Sequence, residues 1–158
     1  MAVYMKFGSV KGSVTTDNYK DWIELDSFSF STSRNVGTAA RGASHRESSE
    51  PTIGEIHVTK KVDTATPKLF MDAVAGHLDT KVTIKMTTTN KGGVTDFLTY
   101  ELTETGVSSY SVSSGGDHPT ESLTLNFTKI SKTFKPMDPK INATPETVGY
   151  DLKAMKTV

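Results

Sequence analysis

The chain has 158 residues, with 18 acidic and 18 basic side chains and no cysteine. This length suits one domain with a substantial core, so we expect a single domain over residues 1–158. The balanced charge argues against a nucleic-acid-binding protein, which would carry a clustered basic face, and the lack of cysteine excludes disulfides and thiolate zinc sites.

Taken in order, the chain is typical of short strands separated by turns. A change of parity between Leu25 and Phe28 predicts a bend near Asp26–Ser27 in the second strand. From Pro136 the sequence predicts a lapse of regular structure until Tyr150. Alternating apolar residues predict strands at about residues 3–7, 22–30, 56–62, 82–86, 97–102, 107–112 and 123–134.

A single helix is predicted at about residues 66–75. Thr66 is expected to cap it with its hydroxyl, Pro67 suits the first helical position, and Gly76 is a stop signal. One face carries an apolar stripe (Leu69, Phe70, Ala73 and Val74) that must be buried. We expect the helix to lie over one opening or face of a small antiparallel barrel or sandwich of about eight strands. The alternative is a helix that binds a separate partner.

Residues 31–52 form a long stretch of small, polar and basic side chains without apolar periodicity. A loop of this length inside a compact domain is usually functional or disordered. We expect an ordered arm that packs on a neighbouring subunit, with a mobile loop as the alternative.

No catalytic, cofactor or metal site is evident in the sequence. The four histidines lie in separate segments without metal-ligand spacing. No nucleophile elbow or phosphate-binding loop occurs, and Glu101 and Glu104 are expected to be solvent-facing charges. We therefore expect a protein that is not an enzyme and needs no cofactor. No apolar run could span a bilayer, and the N-terminus lacks the features of a Sec signal, so export would require another route.

Several motifs together resemble the Hcp family, the haemolysin-coregulated tube proteins of bacterial type VI secretion systems. The similarity extends over nearly the whole chain and rests on the order and spacing of the motifs. They are V-K-G-S at 10–13, W-I-E-L-D-S-F-S-F at 22–30, K-K-V-D-T-A-T-P-K-L at 60–69, G-V-S-S-Y at 106–110, E-S-L-T-L-N-F at 121–127 and G-Y-D-L at 149–152.

The resemblance implies a mainly β fold: a small β-barrel with one flanking helix and a long extended loop. It implies homohexameric rings that stack into a tube inside a contractile sheath on a baseplate, capped by a VgrG spike. The tube would carry small effectors in its lumen. The protein would reside in the bacterial cytoplasm before firing and then be secreted without a Sec signal.

The resemblance also assigns expected roles to residues. Ser108 and Ser109 match a family segment near the lumen and are candidate effector contacts, although both also suit ordinary strand positions. The long loop is expected to contact neighbouring subunits, through Arg34, Gly37, Thr38, Arg41, Gly42 and His45. The competing function is a monomeric β-barrel that binds a small ligand or carbohydrate in its mouth.

Overall fold

The computed structural model describes residues 1–37, 49–138 and 144–158, and the fold is mainly β, as expected. One helix, α1 (Thr66–Ala75), interrupts the strands. These are β1 (Ala2–Phe7), β2 (Ile23–Leu25), β3 (Ser27–Ser29), β4 (Thr32–Ser33), β5 (Thr52–Ile53), β6 (Ile56–Lys61), β7 (Thr80–Asn90), β8 (Gly93–Ser113), β9 (Thr120–Asn126), β10 (Lys129–Phe134), β11 (Glu146–Asp151) and β12 (Lys156–Thr157).

Ten of the strands form two antiparallel sheets that share β8, and β4 and β5 form a separate pair. The large sheet has the order β2-β1-β7-β8-β10-β11-β12, and the small sheet has the order β3-β6-β9-β8. The first half of β8 pairs with β7 and β10, whereas its second half pairs with β9. The bend between the halves lies at Glu104, whose φ is +49°.

The second link between the sheets is the bend predicted near Asp26–Ser27, which is confirmed. Here β2, paired with β1, passes into β3, paired with β6. The backbone N–H of Asp26 donates to the carbonyl of Thr59 at 2.7 Å. Strand pairing and the chain connection from β2 to β3 together lead around the molecule, which is the expected small antiparallel barrel.

The inward positions of both sheets fill the barrel with aliphatic and aromatic side chains. Pairing of β6 with β9 and of β1 with β7 aligns these positions across strands. The side chains of the core with no exposed surface are Met5, Ile23, Ile56, Ala65, Leu69, Val82, Ile84, Leu102 and Leu125. The space in which a barrel would hold a small ligand is thus occupied by the chain itself.

Helix α1 has the predicted bounds but a different start. The predicted cap is wrong, because Ala65 occupies the N-cap position and no side chain caps it. Instead, the Asp63 carboxylate accepts the amide of Ala65 at 2.9 Å, and the Thr66 hydroxyl accepts the amide of Asp63 at 3.0 Å. These two side chains therefore hold the turn before the helix, and neither caps an amide of the helix itself.

The apolar stripe of α1 is only partly buried within the chain. Leu69 is fully buried and Ala73 packs against the core, but Phe70 and Val74 remain exposed. The expectation that this chain covers the whole stripe is therefore wrong for these two residues. Helical periodicity identifies an apolar face, but it does not say whether the same chain covers it.

A second apolar cluster, formed by Tyr4, Val14 and Tyr19, lies outside the main core. The Tyr4 and Tyr19 rings stack at 4.8 Å between centroids. Beside them the Asp96 carboxylate forms ion pairs with Lys135 Nζ at 3.1 Å and with Lys85 Nζ at 3.6 Å. Burial acts to raise the pKa of Asp96, but the two lysines outweigh it and hold that pKa below its usual value.

The C-terminal region contains more regular structure than the sequence predicts. The lapse expected until Tyr150 is wrong for its second part, because β11 begins at Glu146 and pairs with β10 along its whole length. Pro145 immediately precedes this strand, where the absence of an N–H costs no ladder hydrogen bond.

Candidate functional site

In the described ranges, the histidines and the two carboxylates considered in the sequence analysis do not come together in one site. No group of three or more His, Asp or Glu side chains there could hold a metal ion. His57 Nδ1 lies 3.0 Å from the Thr124 hydroxyl, and His118 Nε2 lies 2.8 Å from the Val62 carbonyl oxygen. Glu101 is exposed, and Glu104 pairs with Lys153 at 2.6 Å.

In the described ranges, no helix has both the length and the apolar character needed to cross a membrane.

The most distinctive surface is the outward face of the small sheet, where nine of the twelve residues carry hydroxyls. Register places Ser29, His57 and Thr124 side by side across three strands, with Ser109 next to Thr124 on the fourth. We call this surface the hydroxyl face. It comprises Ser27, Ser29, His57, Thr59, Lys61, Ser109, Ser111, Ser113, Thr120, Ser122, Thr124 and Asn126.

The two candidate serines occupy different environments. The register of β8 against β9 shifts between Val107 and Ser109, so Ser108 is the extra residue of a bulge. Its hydroxyl donates to the Glu55 carboxylate and lies 3.2 Å from the Thr124 carbonyl oxygen. Both serines are exposed, but only Ser109 lies in register on the hydroxyl face, opposite Thr124.

The small sheet has two open edges in the described part of the chain. Its order leaves β3 at one edge and the second half of β8 at the other. On β8, pairing with β7 stops at Thr105, and the next free amide, that of Val107, donates to the Asp72 carboxylate of α1 at 2.8 Å. An unpaired strand edge is a template for pairing with another chain.

The long loop begins and ends in a short hairpin that continues β3 and β6. Strand β4 pairs with β5, and farther out the Ser49 amide donates to the Asn35 carbonyl at 3.0 Å. Of the predicted contact residues, Arg34 and Gly37 are exposed near this hairpin. The other four (Thr38, Arg41, Gly42 and His45) lie outside the described residues.

A buried ion pair joins the small sheet to the start of the helix. Lys60 on β6 and Glu121 on β9 are directly opposite, fully buried and in contact. Lys60 Nζ also lies 2.9 Å from an Asp63 carboxylate oxygen. The Tyr110 hydroxyl donates to the other oxygen of Glu121. Burial and this hydrogen bond raise the pKa of Tyr110 to about 12.

The sequence analysis missed this network, although the alternation of inward and outward residues along β6 and β9 indicated it. Lys60 has the same parity as the buried Ile56 and Val58, and Glu121 has the same parity as the buried Leu123. Two opposite charges at inward positions of strands that pair are the pattern of a buried ion pair. Since Asp63 accepts the Ala65 amide, the network also fixes where α1 begins.

Known proteins resemble this chain in both sequence and fold. The family model described as "Type VI secretion system effector, Hcp" matches residues 4–134. No curated protein matches the sequence.

Solved structures match over almost their full length. One described as a type six secretion system protein has 26% identity, a TM-score of 0.88 and coverage of 99% of both chains. Hcp1 from Salmonella typhimurium has 19% identity and a TM-score of 0.76, covering 99% of this chain and 98% of that one. Hcp2 from the same organism has 20% identity and a TM-score of 0.71, covering 99% of both. The two Salmonella proteins support the fold, and the family model supports the relationship. The chain belongs to the Hcp family of type VI secretion proteins.

Proposed function

We propose that this chain is the structural subunit of a type VI inner tube, forming homohexameric rings that stack. The observation that carries the proposal is the small sheet, whose outward face is lined with hydroxyls and whose two edges are open. A tube subunit needs a surface for the lumen and complementary surfaces for its neighbours. The small sheet combines both.

The two open edges favour a ring over a two-fold dimer. Strand β3 and the second half of β8 are different surfaces, so pairing one with the other between copies is a head-to-tail contact. Such contacts generate closed rings when the rotation closes. Edge-to-edge pairing would also join the small sheets into a continuous wall with all hydroxyl faces on the same side.

A lumen lined by the hydroxyl face suits transient cargo. Serine and threonine offer short hydrogen-bond donors and acceptors, and this face carries little charge. It can therefore bind an effector weakly enough for later release. Ser109 is the proposed contact, whereas Ser108 is engaged with Glu55. Ser109→Gln should abolish retention of a co-expressed effector while rings still form; unchanged effector levels would contradict the role of this residue.

The remaining parts of the proposal concern contacts beyond one ring. The β4–β5 hairpin, which brackets the loop within residues 31–52, follows β3 and precedes β6 in the chain, which suits contact of this region with a neighbouring subunit or ring. Deleting residues 37–44 should weaken ring or stack formation without unfolding the barrel, and normal assembly of that variant would refute the assignment. The VgrG spike, the contractile sheath and the baseplate complete the proposed partners, with export from the cytoplasm independent of a Sec signal.

The experiment that tests the proposal is the native mass of the purified chain, measured by light scattering after size exclusion. A mass six times that of one chain is expected. A monomer at high concentration would refute the ring and leave the ligand-binding barrel as the competing function. The filled interior weighs against that competitor, because a ligand site needs a cavity.

A further inference from the structure

An apolar stripe on the outside of α1 has no cover within the described part of the chain. It consists of Phe70 and Val74 on α1 and of Leu78, which follows the helix in the connection to β7, with exposed fractions of 48%, 66% and 55%. The Phe70 ring meets the Tyr110 ring edge to face at 5.7 Å. We call these three residues the helix stripe. Contiguous apolar surface of this kind on a soluble protein marks an interaction site.

The helix stripe flanks the open edge of β8. Asp72 binds the Val107 amide, and the Leu78 side chain lies where a Cβ on Gly106 would sit, so the helix follows β8. Beyond it, residues 109–113 have no strand partner on that edge among the described residues. A strand added at this edge would therefore bring its own flanking surface against the helix stripe.

A second apolar surface lies on β10 and β11. Phe134 and Val148 share the core-side face of the large sheet, yet are 50% and 54% exposed. On this face the Phe28 ring of the small sheet packs on Tyr100 at 4.9 Å, and Leu98 also packs against the core. Lys132 lies opposite Tyr100, and Val148 lies opposite Lys132, so β10 and β11 extend past the Phe28 ring. We call Phe134 and Val148 the overhang.

The positions of the two surfaces indicate what covers each of them. The helix stripe borders the β8 edge, and the overhang extends beyond the region covered by Phe28 of β3, the strand that forms the other edge. A head-to-tail contact that joins these edges brings the stripe of one copy towards the overhang of the next. We propose that the helix stripe and the overhang are the two halves of one apolar contact between neighbouring copies of this chain. The proposal rests on the ring proposed above and assigns its side-chain contacts.

Two substitutions test the contact, and each is chosen so that the variant chain keeps its fold. Val74→Lys adds a cation near the C-terminal end of α1, where the helix dipole favours it. Val148→Glu adds an anion directly opposite Lys132, a favourable cross-strand pair. Each variant alone buries an unpaired charge at every contact of the ring. Each should elute as a single chain at concentrations where the wild type is a ring, with association at least tenfold weaker.

Mixing the two variants gives the decisive result. In a ring that alternates them, one contact joins the introduced lysine to the introduced glutamate, and the next joins the original valines. Rings should therefore return in the mixture at the wild-type mass, with equal amounts of the two chains by mass spectrometry. The mixture also shows that each variant is folded, because unfolded chains could not assemble.

Matched controls place charges nearby but off the two surfaces. Ala75→Lys lies about 100° around the helix from Val74, and Thr147→Glu lies on the opposite face of β11; both should leave the ring intact. If the wild type forms rings and the single variants do as well, the contact is refuted while the ring stands. If the single variants dissociate but mixing restores nothing, the pairing of stripe with overhang is refuted. A monomeric wild type would overturn both proposals.

Discussion

Removing Lys60 alone from the buried ion pair should destabilise the chain more than removing both charges of the pair. In Lys60→Met the apolar stem is retained and the charge is lost, so the Glu121 carboxylate stays buried with the Tyr110 hydroxyl as its remaining partner. In Glu121→Gln an acceptor for Tyr110 remains, and Lys60 keeps Asp63 at 2.9 Å and the Lys61 carbonyl at 2.8 Å. The double variant removes both charges of the buried pair, and the partly exposed Asp63 carboxylate keeps the Ala65 amide as its partner.

The magnitudes follow from what each variant leaves unpaired. An uncompensated buried charge costs about 3–5 kcal/mol, which is the expected loss for Lys60→Met. Glu121→Gln loses a charge-assisted hydrogen bond and should cost about 1–2 kcal/mol. The double variant should lose only about 1–2 kcal/mol in total, because a buried pair contributes little net stability. The coupling between Lys60 and Glu121, which is the sum of the two single losses minus the double loss, is therefore about 3–5 kcal/mol.

Urea and thermal unfolding of all four proteins would measure this cycle. The work should be done at concentrations where association does not add to stability. For a chain of this size, the Lys60→Met loss corresponds to a fall in Tm of about 6–20 °C. The reasoning is refuted if the double variant loses as much as the two single variants together, since that would mean that the charges do not interact.

Three further predictions concern single contacts. Asp96→Asn should cost about 1 kcal/mol at pH 7. Because the folded pKa of Asp96 is lowered, the contribution of the carboxylate is present above its unfolded pKa and is lost as pH falls through the folded pKa, so the difference in urea unfolding should shrink steadily as the pH is lowered below the unfolded pKa. Gly12→Ala should cost about 1–3 kcal/mol in the same assay, since its Cβ would lie 2.2 Å from a backbone oxygen, whereas Gly115→Ala meets nothing and should be neutral. Asp72→Ala should cost about 1–3 kcal/mol and speed hydrogen exchange at the Val107 amide, which would be left unpaired; unchanged exchange would contradict that contact.

The barrel and its helix were predictable because their signals are local. Alternation of apolar residues defines the inward face of a strand without knowledge of its partner. Pro67 and Gly76 delimit α1 in the same local way. The change of parity between Leu25 and Phe28 likewise located the bend that links the two sheets. Each of these features depends on the residue types within a few positions.

The cap of α1 and the ion pair show where local reasoning fails. Thr66 is a good capping residue by type, but its hydroxyl does not cap the helix. Instead, the carboxylate of Asp63, three residues earlier, accepts the amide of Ala65 just before the helix. Charged side chains such as those of Lys60 and Glu121 are rarely buried unless they are paired, and the sequence alone does not show that β6 and β9 pair. Their parity indicated burial, but only the register between two distant segments reveals that each neutralises the other.

The hydroxyl face illustrates the same limit for function. Alternation in β9 predicts that Thr124 points away from the core, and the bulge at Ser108 then decides that Ser109, not its neighbour, joins Thr124 on the outer face. A one-residue shift in register would exchange the two serines. The sequence could name the pair as candidates, but choosing between them required the long-range pairing. The helix has the same ambiguity in a different form: Leu69 faces this chain's core and Val74 faces outward. Because both belong to one apolar stripe, the two interpretations of the helix, as a barrel cover and as a partner-binding element, are compatible.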